Sequence, residues 1–156
     1  MIEVSIGRFR IAIPEQTRVA SRHQSIYGVD IRTAPFDDVP IATQWRNLRA
    51  QFGPDAREIK FPDDAIGLFY APYSAMPMNL VLEAMRPMGS HALWVSCAVT
   101  AGKESSAERL VAKILSVYGP GTRHGFCAEL GSIRMEGSLS ESTTLSLVHK
   151  QTPGVK

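Results

Sequence analysis

Short segments in which large apolar residues occupy every second position recur along this chain of 156 residues. Residues 2–6 and 9–13 show the pattern near the beginning, and residues 91–100 show it again. Because successive side chains of a β-strand point to opposite faces, a period of two predicts strands. A chain in which this pattern dominates is restricted to folds that are built around a β-sheet.

The first two of these segments differ in which positions are apolar. The apolar positions are even-numbered in residues 2–6 and odd-numbered in residues 9–13. A slip of one residue turns every side chain of a strand to the other face. We therefore predict a bulge or a sharp bend at Gly7, which lies between the two segments.

Two other segments have the period of an α-helix. Apolar side chains recur on one face in residues 38–52 and again in residues 105–118. Ser105 followed by Glu108 matches a capping box, in which each side chain can satisfy a backbone N–H at the other position. The second helix is therefore predicted to begin with this pair.

Strand segments outnumber the two helices, and turn residues separate the strands at short intervals, as in a predicted antiparallel meander at residues 59–100. This order predicts an α+β fold, a mostly antiparallel β-sheet with two α-helices packed on it. Two helices can cover one face of such a sheet, and the other face is then solvated or covered by another element. The length suits one domain, so we assign residues 1–150 to a single α+β domain and residues 151–156 to a flexible tail or linker.

Charge and hydropathy exclude several classes of function. The chain has 17 basic and 15 acidic residues, and a net charge of +2 with mixed signs gives no footprint for nucleic acid. Apolar runs stay shorter than the ~18 residues of a transmembrane segment. The first residues lack the basic and apolar regions of a signal peptide, which predicts either a cytoplasmic protein or a sequence without its leader.

Residues that carry catalysis or bind cofactors do not form a recognisable pattern. The four histidines are not spaced as metal ligands on a helix, and the glycine motifs of phosphate loops and serine hydrolases are missing. The acidic pairs Asp37–Asp38 and Asp63–Asp64 are typical of helix caps and solvated turns. We therefore predict no catalytic, metal or cofactor-binding residues.

The two cysteines, Cys97 and Cys127, leave two alternatives open. Cys97 belongs to an apolar strand face, where a free thiol behaves as a small hydrophobic group. A disulfide between the two is the other alternative, if the compartment is oxidising and the strands are adjacent.

The segment from Tyr70 to Met78 is the most unusual candidate for a surface. Tyr70, Tyr73, Met76 and Met78 lie with two prolines within nine residues of a predicted hairpin loop. Exposed Tyr and Met side chains are favoured at protein interfaces. We therefore predict a protein interface at these four residues, and the alternative is a loop that folds back on its own core.

Several short motifs, in order along the chain, resemble a known family. They are Ile6-Gly7-Arg8-Phe9 with Ile13-Pro14-Glu15, the segment Ile26-Tyr27-Gly28-Val29-Asp30-Ile31, the helix at residues 105–118, Gly125-Phe126-Cys127, and the strand and Pro-Gly at residues 143–154. Together they resemble the N-terminal domain of type VI secretion immunity proteins that neutralise phospholipase effectors. Members of that family are usually longer, with a second α/β domain after the part that matches.

The resemblance implies a non-enzymatic antitoxin that binds and occludes a secreted lipase effector in the periplasm, without cofactors. It transfers no site residues, because the interface loops of the family vary. Two other classes remain open from the residues themselves. One is a small enzyme that uses scattered Asp, His or Cys residues, and the other is a structural or scaffolding domain of a larger assembly.

Overall fold

A computed structural model describes residues 1–35, 41–52, 56–88, 91–120, 126–127, 131–133 and 141–149. The predicted tail at residues 151–156 and the pair Asp37–Asp38 lie outside these residues. The strands are β1 (Ile2–Ile6), β2 (Phe9–Ile13), β3 (Thr17–Ile26), β4 (Val29–Pro35), β5 (Arg57–Lys60), β6 (Ile66–Tyr70), β7 (Asn79–Pro87), β8 (His91–Thr100), β9 (Tyr118–Pro120), β10 (Phe126–Cys127), β11 (Gly131–Ile133) and β12 (Glu141–His149). The helices are α1 (Ile41–Phe52) and α2 (Glu104–Val117).

Seven of the strands form the main sheet in the order β12-β3-β4-β8-β7-β6-β5, and every neighbouring pair is antiparallel. The strands β5 to β8 follow one another in space as they do in the chain, which confirms the predicted meander. The α+β prediction is confirmed as well. Because β8 pairs with β4 on one side and β7 on the other, it is an interior strand of the sheet.

The two helices lie on opposite faces of this sheet, and not on one face as the sequence suggested. Val111 and Ile114 of α2 pack with Leu93 of β8 in one buried cluster. Trp45 of α1 belongs to a second cluster with Trp94 of β8, and the two ring centroids are 5.8 Å apart. The physical reason is that β8 carries large apolar side chains on both of its faces, so each face requires a cover.

The strands β1 and β2 form a separate two-stranded hairpin, and the predicted sharp bend at Gly7 is confirmed by a φ of 54°. Ile2 pairs with Ile13 and Ile6 pairs with Phe9. The change from even to odd apolar positions therefore places both sets of side chains on the same face of the hairpin. Phe9 is 73% exposed on it.

The capping box predicted at Ser105 does not form. Helix α2 begins one residue earlier, at Glu104, and Lys103 occupies the cap position without a side-chain hydrogen bond. The chain turns into the helix at Gly102, where φ is 95°, and the backbone N–H of Gly102 donates to Oε2 of Glu104 over 2.8 Å. Ser105 therefore lies inside the first turn, where it cannot act as the cap.

Arg86 of β7 joins the sheet to the C-terminal end of α2. Its Nη1 donates to the carbonyl oxygens of Leu115, at 2.7 Å, and Tyr118, at 3.1 Å. A guanidinium at this end of a helix satisfies free carbonyl groups and interacts favourably with the helix dipole. Nη2 of the same side chain lies 4.0 Å from Asp63, which sits in the predicted turn before β6.

Cys97 is a buried free thiol, as one of the two alternatives predicted. Burial raises its pKa to about 11, and the nearby carboxylates Asp30 and Glu83 act in the same direction. The thiol is therefore protonated at neutral pH and behaves as an apolar group of the core.

Candidate protein-binding surface

The loop of residues 71–78 connects β6 to β7, and we refer to it as the 71–78 loop. The two strands pair antiparallel, with Tyr70 opposite Val81, so the predicted hairpin loop is where the sequence placed it. Tyr73 is 65% exposed, Met76 52% and Met78 61%. These three side chains are not packed on the core of the protein, contrary to the alternative of a loop folded back on itself.

Three backbone hydrogen bonds lie within the 71–78 loop and at its end. Within it, the N–H of Met76 donates to the carbonyl of Tyr73 over 3.0 Å, and the N–H of Asn79 donates to that of Met76 over 3.1 Å. At its end, the N–H of Ala101 donates to the carbonyl of Met78 over 3.0 Å. A loop that is already ordered loses less conformational entropy when it binds a partner.

Tyr70 occupies a different environment from the other three residues of the predicted interface. It is the last residue of β6 and is only 7% exposed. Its hydroxyl donates to Oε1 of Glu83 over 3.0 Å. Burial raises the pKa of Tyr70 and the Glu83 carboxylate raises it further, so the hydroxyl stays protonated. Tyr70 is therefore a buried residue at the end of β6, directly before the loop, and its hydrogen bond ties this end of β6 to β7.

Glu83 is the centre of a small polar cluster on the face that α1 covers. Its carboxylate accepts hydrogen bonds from the hydroxyl of Tyr70, from Nε1 of Trp94 and from the hydroxyl of Ser96, the last over 3.3 Å. The cluster ties the end of β6 to β7 and β8. Sequence reasoning missed it, although a single carboxylate among the apolar residues of β7 was a usable signal, since such a group needs partners.

An open groove of about 1050 Å³ runs beside the 71–78 loop. Pro72, Ser74 and Pro77 of the loop form one part of its lining, and Arg57 of β5 and Glu104 of α2 form another. The groove gives the exposed loop a concave neighbour. Convex and concave features side by side are what an interlocking protein contact requires.

A second exposed aromatic residue lies at the same end of the sheet. Tyr27, in the turn between β3 and β4, is 45% exposed and has a φ of 51°. Asp30 of β4 pairs with Ser96, which pairs with Glu83 of β7, so this turn lies at the same end as the 71–78 loop. β8 lies between β4, which follows this turn, and β7, which follows the 71–78 loop. We call the surface formed by Tyr27, Tyr73, Met76 and Met78 the loop end of the sheet.

His91 has a structural environment and lies away from the 71–78 loop in the chain, at the start of β8. His91 is buried, with its Nε2 2.6 Å from the hydroxyl of Tyr118. In the part of the chain that the structure describes, His, Cys, Asp and Glu side chains do not gather in threes as a metal site requires. The helices of that part are also too short or too polar to cross a membrane.

Comparison with known proteins gives similarity at the level of fold. The chain matches no family model and no curated protein. It is similar to a chain in the crystal structure of the Tle4-Tli4 complex, with a TM-score of 0.78. It is also similar, with a TM-score of 0.76, to the apo structure of TplEi, an immunity protein of the type VI secretion system from Pseudomonas aeruginosa. Both matches have 18% identity and cover 98% of this chain, which spans only 56% and 57% of the two matched chains. The resemblance to type VI immunity proteins is thus confirmed for the fold.

Proposed function

We propose that this chain is a non-enzymatic immunity protein that binds and occludes a lipase effector of a type VI secretion system. The observation that carries the proposal is the loop end of the sheet, where three exposed side chains, Tyr73, Met76 and Met78, stand on a hydrogen-bonded loop. The similarity of fold to TplEi supports the assignment of the partner class.

The side chains of the loop suit this role physically. Tyr and Met offer large contact areas, and aromatic residues and Met are enriched in the cores of protein interfaces. The loop connects two strands at one end of the main sheet, and a projecting loop fits a concave site such as the cleft of a lipase. Occlusion in this form needs no catalytic residue on the inhibitor.

The proposed location is the periplasm, where the resembling family neutralises its effectors. Fractionation of cells that produce the native gene product tests this point, with recovery in the periplasmic fraction as the expected result. Recovery in the cytoplasm alone would contradict the location.

The binding proposal is tested by titration calorimetry of the purified chain against the lipase encoded by the adjacent gene. We expect binding with a Kd in the micromolar range or tighter, together with inhibition of the lipase. Tyr73→Ala should weaken binding about 10-fold or more, the range of an aromatic anchor. Phe9→Ala is the matched control, because Phe9 is an exposed aromatic residue on the separate hairpin, 73% accessible.

The possible results of this titration distinguish the proposed function from the proposed binding surface. The proposed function would be refuted if the titration gave no heat and no inhibition at about 50 μM. Such a result would mean that the binding free energy is weaker than about −6 kcal/mol. Binding that responds equally to Tyr73→Ala and Phe9→Ala would keep the function and reject the 71–78 loop as its anchor.

A further inference from the structure

Arg57 lines the groove beside the 71–78 loop and lies over an aromatic ring. It is the first residue of β5 and pairs across the strands with Phe69 of β6. Its guanidinium carbon lies 4.9 Å from the centroid of the Phe69 ring, and that ring is buried. Stacking on an immobile ring restricts the long side chain before any partner arrives.

The guanidinium of Arg57 has no carboxylate within salt-bridge distance among the described residues. The neighbouring carboxylate on the same strand, Glu58, lies 2.9 Å from Arg49 instead. Among the described residues, the other charged one that lines the groove is Glu104, whose Oε2 accepts the N–H of Gly102. The N–H donors of Arg57 are therefore open to the groove.

We infer that Arg57 binds an acidic side chain of the partner protein in this groove, next to the contact made by the 71–78 loop. The inference rests on the proposed function, since it names the chemistry of the partner at the same surface. A guanidinium presents its donors in a planar fork that matches the two oxygens of a carboxylate. The groove wall and the docked partner exclude water from such a pair, which strengthens it.

Continuity with the loop favours a protein carboxylate as the ligand. Pro72, Ser74 and Pro77 of the loop line the same groove as Arg57. A segment that contacts the exposed Tyr and Met side chains therefore passes the guanidinium. A lone arginine without a second cation in the described lining is a site for one carboxylate, and it is too weakly charged for a polyphosphate or an anionic membrane.

The test is calorimetric titration of the adjacent-gene lipase with wild type, Arg57→Ala and Arg57→Lys. We expect Arg57→Ala to weaken binding about 10-fold or more, and Arg57→Lys to fall between the two, because lysine keeps the charge without the fork. The wild-type affinity should decrease between 50 and 300 mM NaCl more steeply than that of Arg57→Ala. Thermal unfolding by circular dichroism checks that each variant is folded.

Arg32→Ala is the matched control. Arg32 is also exposed and also lies 4.9 Å from an aromatic centroid, that of Trp94, but it is not part of the groove. We expect its Kd to stay within about 2-fold of wild type, as for a charge outside the contact. Wild-type binding with equal effects of Arg57→Ala and Arg32→Ala would overturn the inference and leave the proposed function standing. Absence of wild-type binding would overturn both.

Discussion

Replacing Glu83 by leucine should destabilise the fold more than the loss of one ordinary hydrogen bond. The Glu83 carboxylate accepts from three donors, those of Tyr70, Trp94 and Ser96. Two of these donors belong to buried side chains, since Trp94 is 4% exposed and Tyr70 is 7% exposed. Leucine fills a similar volume but accepts no hydrogen bond.

The expected magnitude follows from the two buried donors. A buried donor left without an acceptor costs about 1–3 kcal/mol. Ser96 is partly exposed and can turn its hydroxyl to water, so it adds little. The added apolar contact of leucine offsets part of the loss. We expect Glu83→Leu to lower the free energy of unfolding by about 2–4 kcal/mol.

Glu83→Gln is the matched control. Its amide oxygen can accept from Nε1 of Trp94, which is a donor only, and its NH₂ can donate to the hydroxyls of Tyr70 and Ser96, which also act as acceptors. The added strength of a charged acceptor is lost, and the O–H of Tyr70 no longer donates to residue 83, so we expect a smaller loss than for leucine, about 1–2 kcal/mol. Urea denaturation followed by circular dichroism gives both values. A Glu83→Leu variant as stable as Glu83→Gln would refute the argument that the cluster stabilises the fold.

Two further predictions concern the core. Gly67→Ala should lower the free energy of unfolding by about 1–3 kcal/mol through overpacking, because a Cβ there would lie 2.6 Å from the ring of Phe61. Urea denaturation measures the change, and Gly119→Ala is the control, because a Cβ at Gly119 would meet open space. A Gly67→Ala variant as stable as wild type would contradict this prediction. Burial lowers the pKa of His91 below its usual 6.5, so the imidazole binds a proton more readily in the unfolded state than in the folded one. The free energy of unfolding should therefore keep its full His91 contribution above pH 6.5 and decrease as the pH falls below that value. His91→Gln should remove that part of the decrease in urea titrations between pH 5 and 8, and an unchanged pH dependence would count against it.

Local pattern was sufficient to predict the two helices and the long strands of this fold, but not the short strand β9, whose Gly119 and Pro120 predict a helix stop. The strand at residues 91–100 has the predicted bounds, and α2 at Glu104–Val117 differs by one residue at each end from the predicted helix. Alternation and helical period are properties of neighbouring residues, so a single sequence displays them. The class of the fold followed from their order along the chain.

Contacts between distant segments could not be predicted in the same way. The stacking of Arg57 on Phe69 depends on the register of β5 against β6. The hydrogen bond from Tyr70 to Glu83 depends on the register of β6 against β7, in which Glu83 lies opposite Leu68, two residues before Tyr70. Register is set by the assembled sheet, and composition does not reveal it. For this reason the sequence placed Tyr70 on the surface with Tyr73, Met76 and Met78, although it is buried.

The attachment of the 71–78 loop at both ends has a consequence for how such a protein can diversify. Tyr70 fixes one end through Glu83, and the bond from Ala101 to the carbonyl of Met78 fixes the other. The exposed side chains between these two points take no part in either attachment. Mutations at Tyr73 can therefore change the chemistry of this exposed surface without an equal cost in folding. Under the proposed function, stability and partner choice would reside in separate residues, so the loop could be retargeted by natural variation or by grafting.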